Sequence, residues 1–163
     1  MTERAPAPGG LALIEALINS LSLETGEDRL AGELGLSGAA LAEAAALREP
    51  LRAALHLHAG HPASAERLAE LNRLLAAAPL AVAVGDAGTA ELRPDPAAGI
   101  TGRVAGAIAE AVAAGTWHRL KACAAEDCQW AYYDRSPAGR GRWCTMSVCG
   151  ARAKMRTYRS RRP

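Results

Sequence analysis

"CAAEDC" (Cys123–Cys128) and "CTMSVC" (Cys144–Cys149) hold all four cysteines of a 163-residue chain, in two pairs of equal spacing. Zinc takes four soft ligands in a tetrahedron, and two chelating pairs closed by a loop supply them at little entropic cost. The competing readings are two disulfides or four inert thiols. Disulfides call for a secretory context, and "LALIEALINSL" is too short and, with Glu15, too charged to serve as the apolar region of a signal peptide. Inert thiols seldom fall in two equal pairs. Cys123, Cys128, Cys144 and Cys149 are therefore expected to hold one structural Zn2+. Four thiolates leave no coordination position for water, which argues against a zinc hydrolase.

Outward from the pairs, "HRLKACA" and "QWAYYD" alternate as strands on either side of the first knuckle, and "SPAGRGR" reads as a flexible loop. From about Ser147 the chain becomes helical, with Val148, Ala151, Met155 and Tyr158 as an apolar stripe and Cys149 in the first turn. A knuckle, a hairpin and a helix that brings the last ligand is a treble-clef-like arrangement.

Arg119–Arg162 resembles the CGNR zinc finger. The likeness rests on the four cysteines, the Trp143–Cys144 and Met146 positions, Gly150 and Arg152, and "RAK" at the helix start. Ala151 stands where the signature has Asn, so a contact made by that Asn is absent here, while the four ligands remain. "LALIEALINSL", "TGEDRLA" and "ASAERLAELNRLL" similarly resemble the ABATE domain that precedes this finger in bacterial proteins. The resemblance implies a stress-linked transcription regulator of the cytoplasm.

Charge divides the chain. From Arg135 onward there are eight Arg, one Lys and no carboxylate, whereas the preceding residues carry 10 cations against 17 anions. A basic end on an otherwise acidic chain is suited to a polyanion. Arg152, Arg156 and Arg159 share one helical stripe, with Lys154, Arg161 and Arg162 nearby and Arg140 and Arg142 in the preceding loop. No carboxylate is within reach of the stripe along the chain, so a phosphate backbone is the expected counterpart. Arg152 and Arg142 also lie close enough to the cysteines to brace the thiolates. All three Trp and all three Tyr fall in the C-terminal third. Trp130, Trp143 and Tyr132 are expected to pack around the metal, and Tyr133 to be the exposed ring that stacks on a base.

The acidic part reads as helices over about 11–23, a short one through Leu30 and Leu34 with Thr25 three before Asp28 as a loose capping box, and one opened by Ser37. Pro50 should kink that helix or start another. A helix capped by Ser64 follows, then a hairpin of "LAVAV" and "TAELRP", and a helix opened by Asp95–Pro96 that ends near Gly115. His56, His58 and His61 read as surface or loop residues. No phosphate loop, nucleophile elbow or paired-carboxylate motif appears, so no catalytic role is expected.

The expected architecture is α+β: a disordered lead over 1–10, a helix-rich ABATE-like domain over 11–116 and a zinc finger over 117–163. Nucleic acid is the expected partner, DNA ahead of RNA. A small-molecule ligand or a homodimer contact falls to the N-terminal part, and no segment suits a membrane. An RNA-binding protein, or a protein-interaction module that uses the basic helix, remains open as an alternative.

Overall fold

The computed structural model describes residues 5–160. Helices α1 (Leu11–Asn19), α2 (Leu30–Leu34), α3 (Gly38–His58) and α4 (Ala65–Ala76) lead to an antiparallel hairpin, β1 (Leu80–Val84) and β2 (Ala90–Pro94). Helix α5 (Gly99–Ala113) follows, then a second antiparallel hairpin, β3 (Leu120–Ala122) with β4 (Ala131–Tyr133), and finally α6 (Ala151–Ser160). The fold is mixed α+β with the four cysteines gathered at its C-terminal end. No described helix is long and apolar enough to cross a membrane.

The centre of the molecule is α3. Its Ala44, Leu47, Leu51 and Leu55 are fully buried and meet Leu11, Ile14, Leu17 and Ile18 of α1 and Ile100, Val104, Ala107 and Ala111 of α5. Pro50 does not start a new helix: one helix runs through it. An interior proline costs about 3 kcal/mol. Each buried leucine returns about 1.5–3 kcal/mol, so the stripe of three around Pro50 outweighs it.

Helix α1 ends at Asn19, earlier than its apolar spacing suggests, because Leu21 bridges to Asp28 and turns the chain. Thr25 does not cap α2. That role falls to Asp28, whose Oδ1 accepts from the Leu30 N–H at 3.1 Å. The same carboxylate takes two bonds from Arg48, at 2.8 and 2.7 Å, and this guanidinium holds it well below the usual carboxylate range. Ser64 does cap α4, accepting from Arg67 N–H at 3.3 Å. The β1–β2 hairpin and the Asp95 turn into α5 agree with the sequence reading.

Two stretches expected to be loose are held. From residue 5 the lead is seated: Ala7 is buried and donates its N–H to Glu15, and Arg135 donates to the carbonyls of Ala5 and Pro6. Residues 1–4 of the expected lead lie outside the described residues. The loop over 135–142 is pinned from below, since Lys121 Nζ donates to the carbonyls of Gly139 and Gly141 and Tyr132 Oη donates to Gly141 at 2.8 Å. Asp134 accepts from Gly141 N–H at 2.7 Å, and a Cβ on Gly141 would stand 2.9 Å from that carboxylate, so the approach needs glycine there.

The core does not break between residues 116 and 117. Leu120, Ala122 and Ala131 belong to the same buried cluster as α1, α3 and α5. Both outer edges of the β3–β4 hairpin are closed by side chains from those helices. On β4, Asn19 accepts from Ala131 N–H at 2.7 Å and donates to its carbonyl at 3.0 Å, as a neighbouring strand would. On β3, His58 Nδ1 lies 2.7 Å from the Leu120 carbonyl and must carry the proton to donate. Asn19→Ala would leave a buried N–H and C=O unpaired, each worth about 1–3 kcal/mol. It should lower unfolding stability by about 2 kcal/mol or more in a urea titration while zinc content stays unchanged.

Candidate metal centre and basic surface

The first knuckle is set by backbone bonds. Cys123 N–H donates to Trp130 C=O at 2.9 Å and closes the turn onto β4, and Cys128 and Gln129 both donate to Ala125 C=O at 3.0 Å. Gln129 sits at φ +47°, unusual for a residue with a side chain. Its carbonyl is held by Arg52 Nη1 at 3.0 Å, and its amide donates to Glu126 C=O. Of the second pair, Cys144 precedes and Cys149 lies within a single wide helical turn, Met146–Gly150, that runs directly into α6. Helicity therefore starts at Met146, with Cys149 buried in that turn.

These elements bring the four sulfurs within 4.8 Å of one another. Cys128 and Cys144 Sγ are 3.7 Å apart, and Cys144 and Cys149 Sγ 3.6 Å. A tetrahedron with Zn–S bonds of about 2.3 Å has edges of about 3.8 Å, so the spacing fits zinc. It is far too wide for a disulfide, whose sulfurs stand about 2.05 Å apart. The nearby backbone N–H groups of Ala125 and Cys144 favour the ionised form of Cys123, and that of Trp130 favours the ionised form of Cys128.

The electrostatics suit a cation. Hydrogen bonds from the Cys128 and Cys144 thiols draw Cys123 down to about 2, while Cys144 is pushed up to about 12 by its bond to Cys123. Cys128 is raised as well, chiefly through Cys123. Without a metal the cluster keeps protons on some sulfurs to relieve the others; a divalent ion lets all four ionise. Trp130 and Trp143 pack against the cluster with buried Tyr132 and Ala125, as expected. Zinc bound here supplies cross-linking of the knuckle to the turn before α6, which is a structural role.

The basic residues do not form one free stripe. Arg152 faces Glu24 at 3.4 Å and Asp127 at 3.7 Å, and Arg156 reaches Asp127 at 3.9 Å. Carboxylates distant in sequence thus stand beside the stripe, and Arg152 turns toward them and not toward the thiolates. Arg142 lies over the Trp143 ring at 5.7 Å. Arg140, Lys154 and Arg159 are exposed, and among the described residues no carboxylate pairs with them. Arg161 and Arg162 lie outside the described residues.

Two aromatic and apolar expectations change. Tyr133 is half-buried against the main core, and Arg135 covers its ring at 5.1 Å, so it is not the exposed stacking ring. The apolar side of α6 is not buried: Val148, Met155 and Tyr158 are 38%, 51% and 55% exposed. Among the described residues, the main packing of helix α6 is on the turn before it, which leaves Val148 and Met155 accessible to solvent.

His56, His58 and His61 are half-buried, the first two on α3 and His61 in the loop after it. His58 stands edge-on to Trp117 with ring centroids 4.9 Å apart, and His56 lies edge-on to His61 at 6.5 Å. Burial pushes both His56 and His58 below the usual imidazole range. Among the described residues they join no metal-holding cluster; only the four cysteines do.

Lys121, Asp134, Asn19 and Arg52 were not singled out by the sequence reading. Lys121 and Asp134 are 2% and 4% exposed and 2.9 Å apart, and together they anchor the finger's long loop. One signal was present: Lys121 alternates with Leu120 and Ala122 in a short strand, and Asp134 is the last carboxylate before the cationic run.

Residues 119–162 match the family model of the CGNR zinc finger. No curated protein matches the chain. The match covers the four cysteines, the pinned loop and α6, and together with the sulfur geometry it makes this region a zinc-binding finger.

Proposed function

We propose that this protein is a nucleic-acid-binding zinc-finger protein, a DNA-binding transcription regulator of the bacterial cytoplasm, in which zinc is structural and no reaction is catalysed. The observation that carries the reading is the projecting helix α6, whose Arg152, Lys154, Arg156 and Arg159 are all exposed beside the metal cluster. Arg140 and Arg142 extend the same basic end of the chain. Phosphate contacts from such a helix give affinity and orientation; base selection needs further contacts, and none comes from the signature Asn position, which is Ala151 here. The N-terminal helices, which resemble the ABATE domain, would bind a small ligand or a second copy and transmit its effect through Asn19, Arg52 and His58, which hold the finger.

The test is the salt dependence of duplex binding. Arg156→Ala with Arg159→Ala removes two cations without touching a cysteine. Each phosphate contact contributes about 0.9 to the slope of log K against log salt, so the slope should flatten by nearly two, evenly across DNA sequences, with zinc retained. A preference for single strands or RNA would move the reading to RNA. An unchanged slope would leave α6 to an acidic protein partner, a reading favoured by the exposed Val148 and Met155 beside the arginines.

A further inference from the structure

The β1–β2 hairpin stands off the body. Its base is seated, with Pro94 against the helix α5 glycines Gly102 and Gly106, but Val82, Val84 and Leu92 are 69%, 70% and 43% exposed. Val82 lies directly opposite Leu92, so these side chains share one face of the ribbon. A lone two-stranded ribbon is marginally stable in water, and this one has no third strand among the described residues.

The backbone pattern says which groups are unspent. Gly85 N–H donates to Thr89 C=O, so Gly85–Thr89 is a hydrogen-bonded pair, as then are Ala83–Glu91 and Ala81–Arg93. Alternation leaves the N–H and C=O of Ala90 and Leu92, and the C=O of Pro94, directed away from β1 along the outer edge.

That edge is complementary to itself. Strand β2 reads Glu91–Leu92–Arg93, with one charge of each sign placed symmetrically about Leu92. Laid antiparallel on a second β2, Leu92 meets its own copy and exchanges two backbone bonds with it, while Glu91 faces Arg93 of the other copy, twice. A parallel pairing would set Glu91 against Glu91. Shifting the antiparallel register by one residue breaks both charge pairs. Pro94 has no N–H to donate, so the ladder ends there after Ala90 N–H has reached the opposing Pro94 carbonyl. Within one chain Glu91 and Arg93 already touch, and the exchange pairs each with its equivalent across the twofold.

We infer that the outer edge of β2 is a homodimer contact, joining two chains into a four-stranded sheet β1–β2–β2–β1 with Leu92 on the twofold axis. This deepens the dimer half of the proposed role for the N-terminal region. Its readout is the mass of the protein alone, so it stands or falls independently of nucleic-acid binding.

Sedimentation equilibrium of the full zinc-loaded chain should show a reversible monomer–dimer equilibrium. Glu91→Arg sets like charges face to face at both pairs, as does Arg93→Glu, and each variant alone should dimerise about tenfold or more weakly. Mixed together, the two variants restore both cross-chain pairs although each still repels within its own strand. The mixture should therefore form a heterodimer about as tight as the wild-type dimer. Circular dichroism of each variant checks that the fold is intact, as expected for exposed positions. A wild-type chain that stays monomeric at every concentration overturns the inference. So does a dimer indifferent to either charge change, or a mixture no tighter than its parts.

Discussion

Cys144→Ser is expected to release zinc and to unfold more than the finger. Purified protein should carry about one zinc per chain and the variant close to none, because structural zinc sites of this kind contribute roughly 10–16 kcal/mol of apparent binding energy that is also folding energy. Cys144 stands between its neighbours in the cluster, 3.7 Å from Cys128 and 3.6 Å from Cys149, so its loss opens the tetrahedron. The consequence reaches the helices, since Leu120, Ala122 and Ala131 share the core with α1, α3 and α5. The melting curve of the helical signal should shift down with the finger, in one transition or two overlapping ones. Four free thiols in a metal-free protein with an unchanged melt would sink the zinc assignment. A finger that melts while the helices keep their full stability would show instead that the shared core contributes little.

Asp134→Ala is the second large effect. The carboxylate accepts from Lys121 Nζ, from Ser136 N–H and Oγ, and from Gly141 N–H, and removing it strands a buried ammonium against two carbonyls. Breaking one side of a buried ion pair costs about 3–5 kcal/mol. Replacing both partners, Lys121→Met with Asp134→Leu, should cost less than Asp134→Ala alone, because no buried charge is left unpaired. The pH dependence follows from the same contacts. Burial pushes the Asp134 carboxyl up, but the bonds from Lys121, Ser136 and Gly141 outweigh it and hold the group well below the usual carboxylate range. Its stabilisation is therefore complete above the unfolded value of about 3.9 and is lost as pH falls below it. Chemical denaturation of Asp134→Ala near neutral pH measures the loss, and the same titration of the parent chain carried into acid follows the pH dependence; a loss under about 1 kcal/mol at neutral pH would show the pair to be dispensable.

The metal centre was legible because its signal is local. Two equal Cys gaps, a short strand on each side and a helix after the second pair need no distant residue to be recognised, and the sulfurs meet as that spacing requires. The β1–β2 hairpin and the caps at Ser64 and Asp95 were legible for the same reason: turn chemistry and alternation act within a few residues.

Only the tertiary structure decided what depends on partners far along the chain. Pro50 stays helical because Leu47, Leu51 and Leu55 are buried by other helices, an energy that no local propensity contains. The 135–142 loop is rich in glycine and looks free, yet Lys121, Tyr132 and Asp134 fill its polar groups. Arg152 and Arg156 find Asp127 and Glu24, and Tyr133 is covered by Arg135. Charge counted along a sequence cannot tell which carboxylate folding brings alongside. By itself the sequence determined four ligands, their metal and a basic end; packing over distances of tens to more than a hundred residues decided that the finger shares its core with the helices, since Asn19 and Ala131 meet only when both are folded.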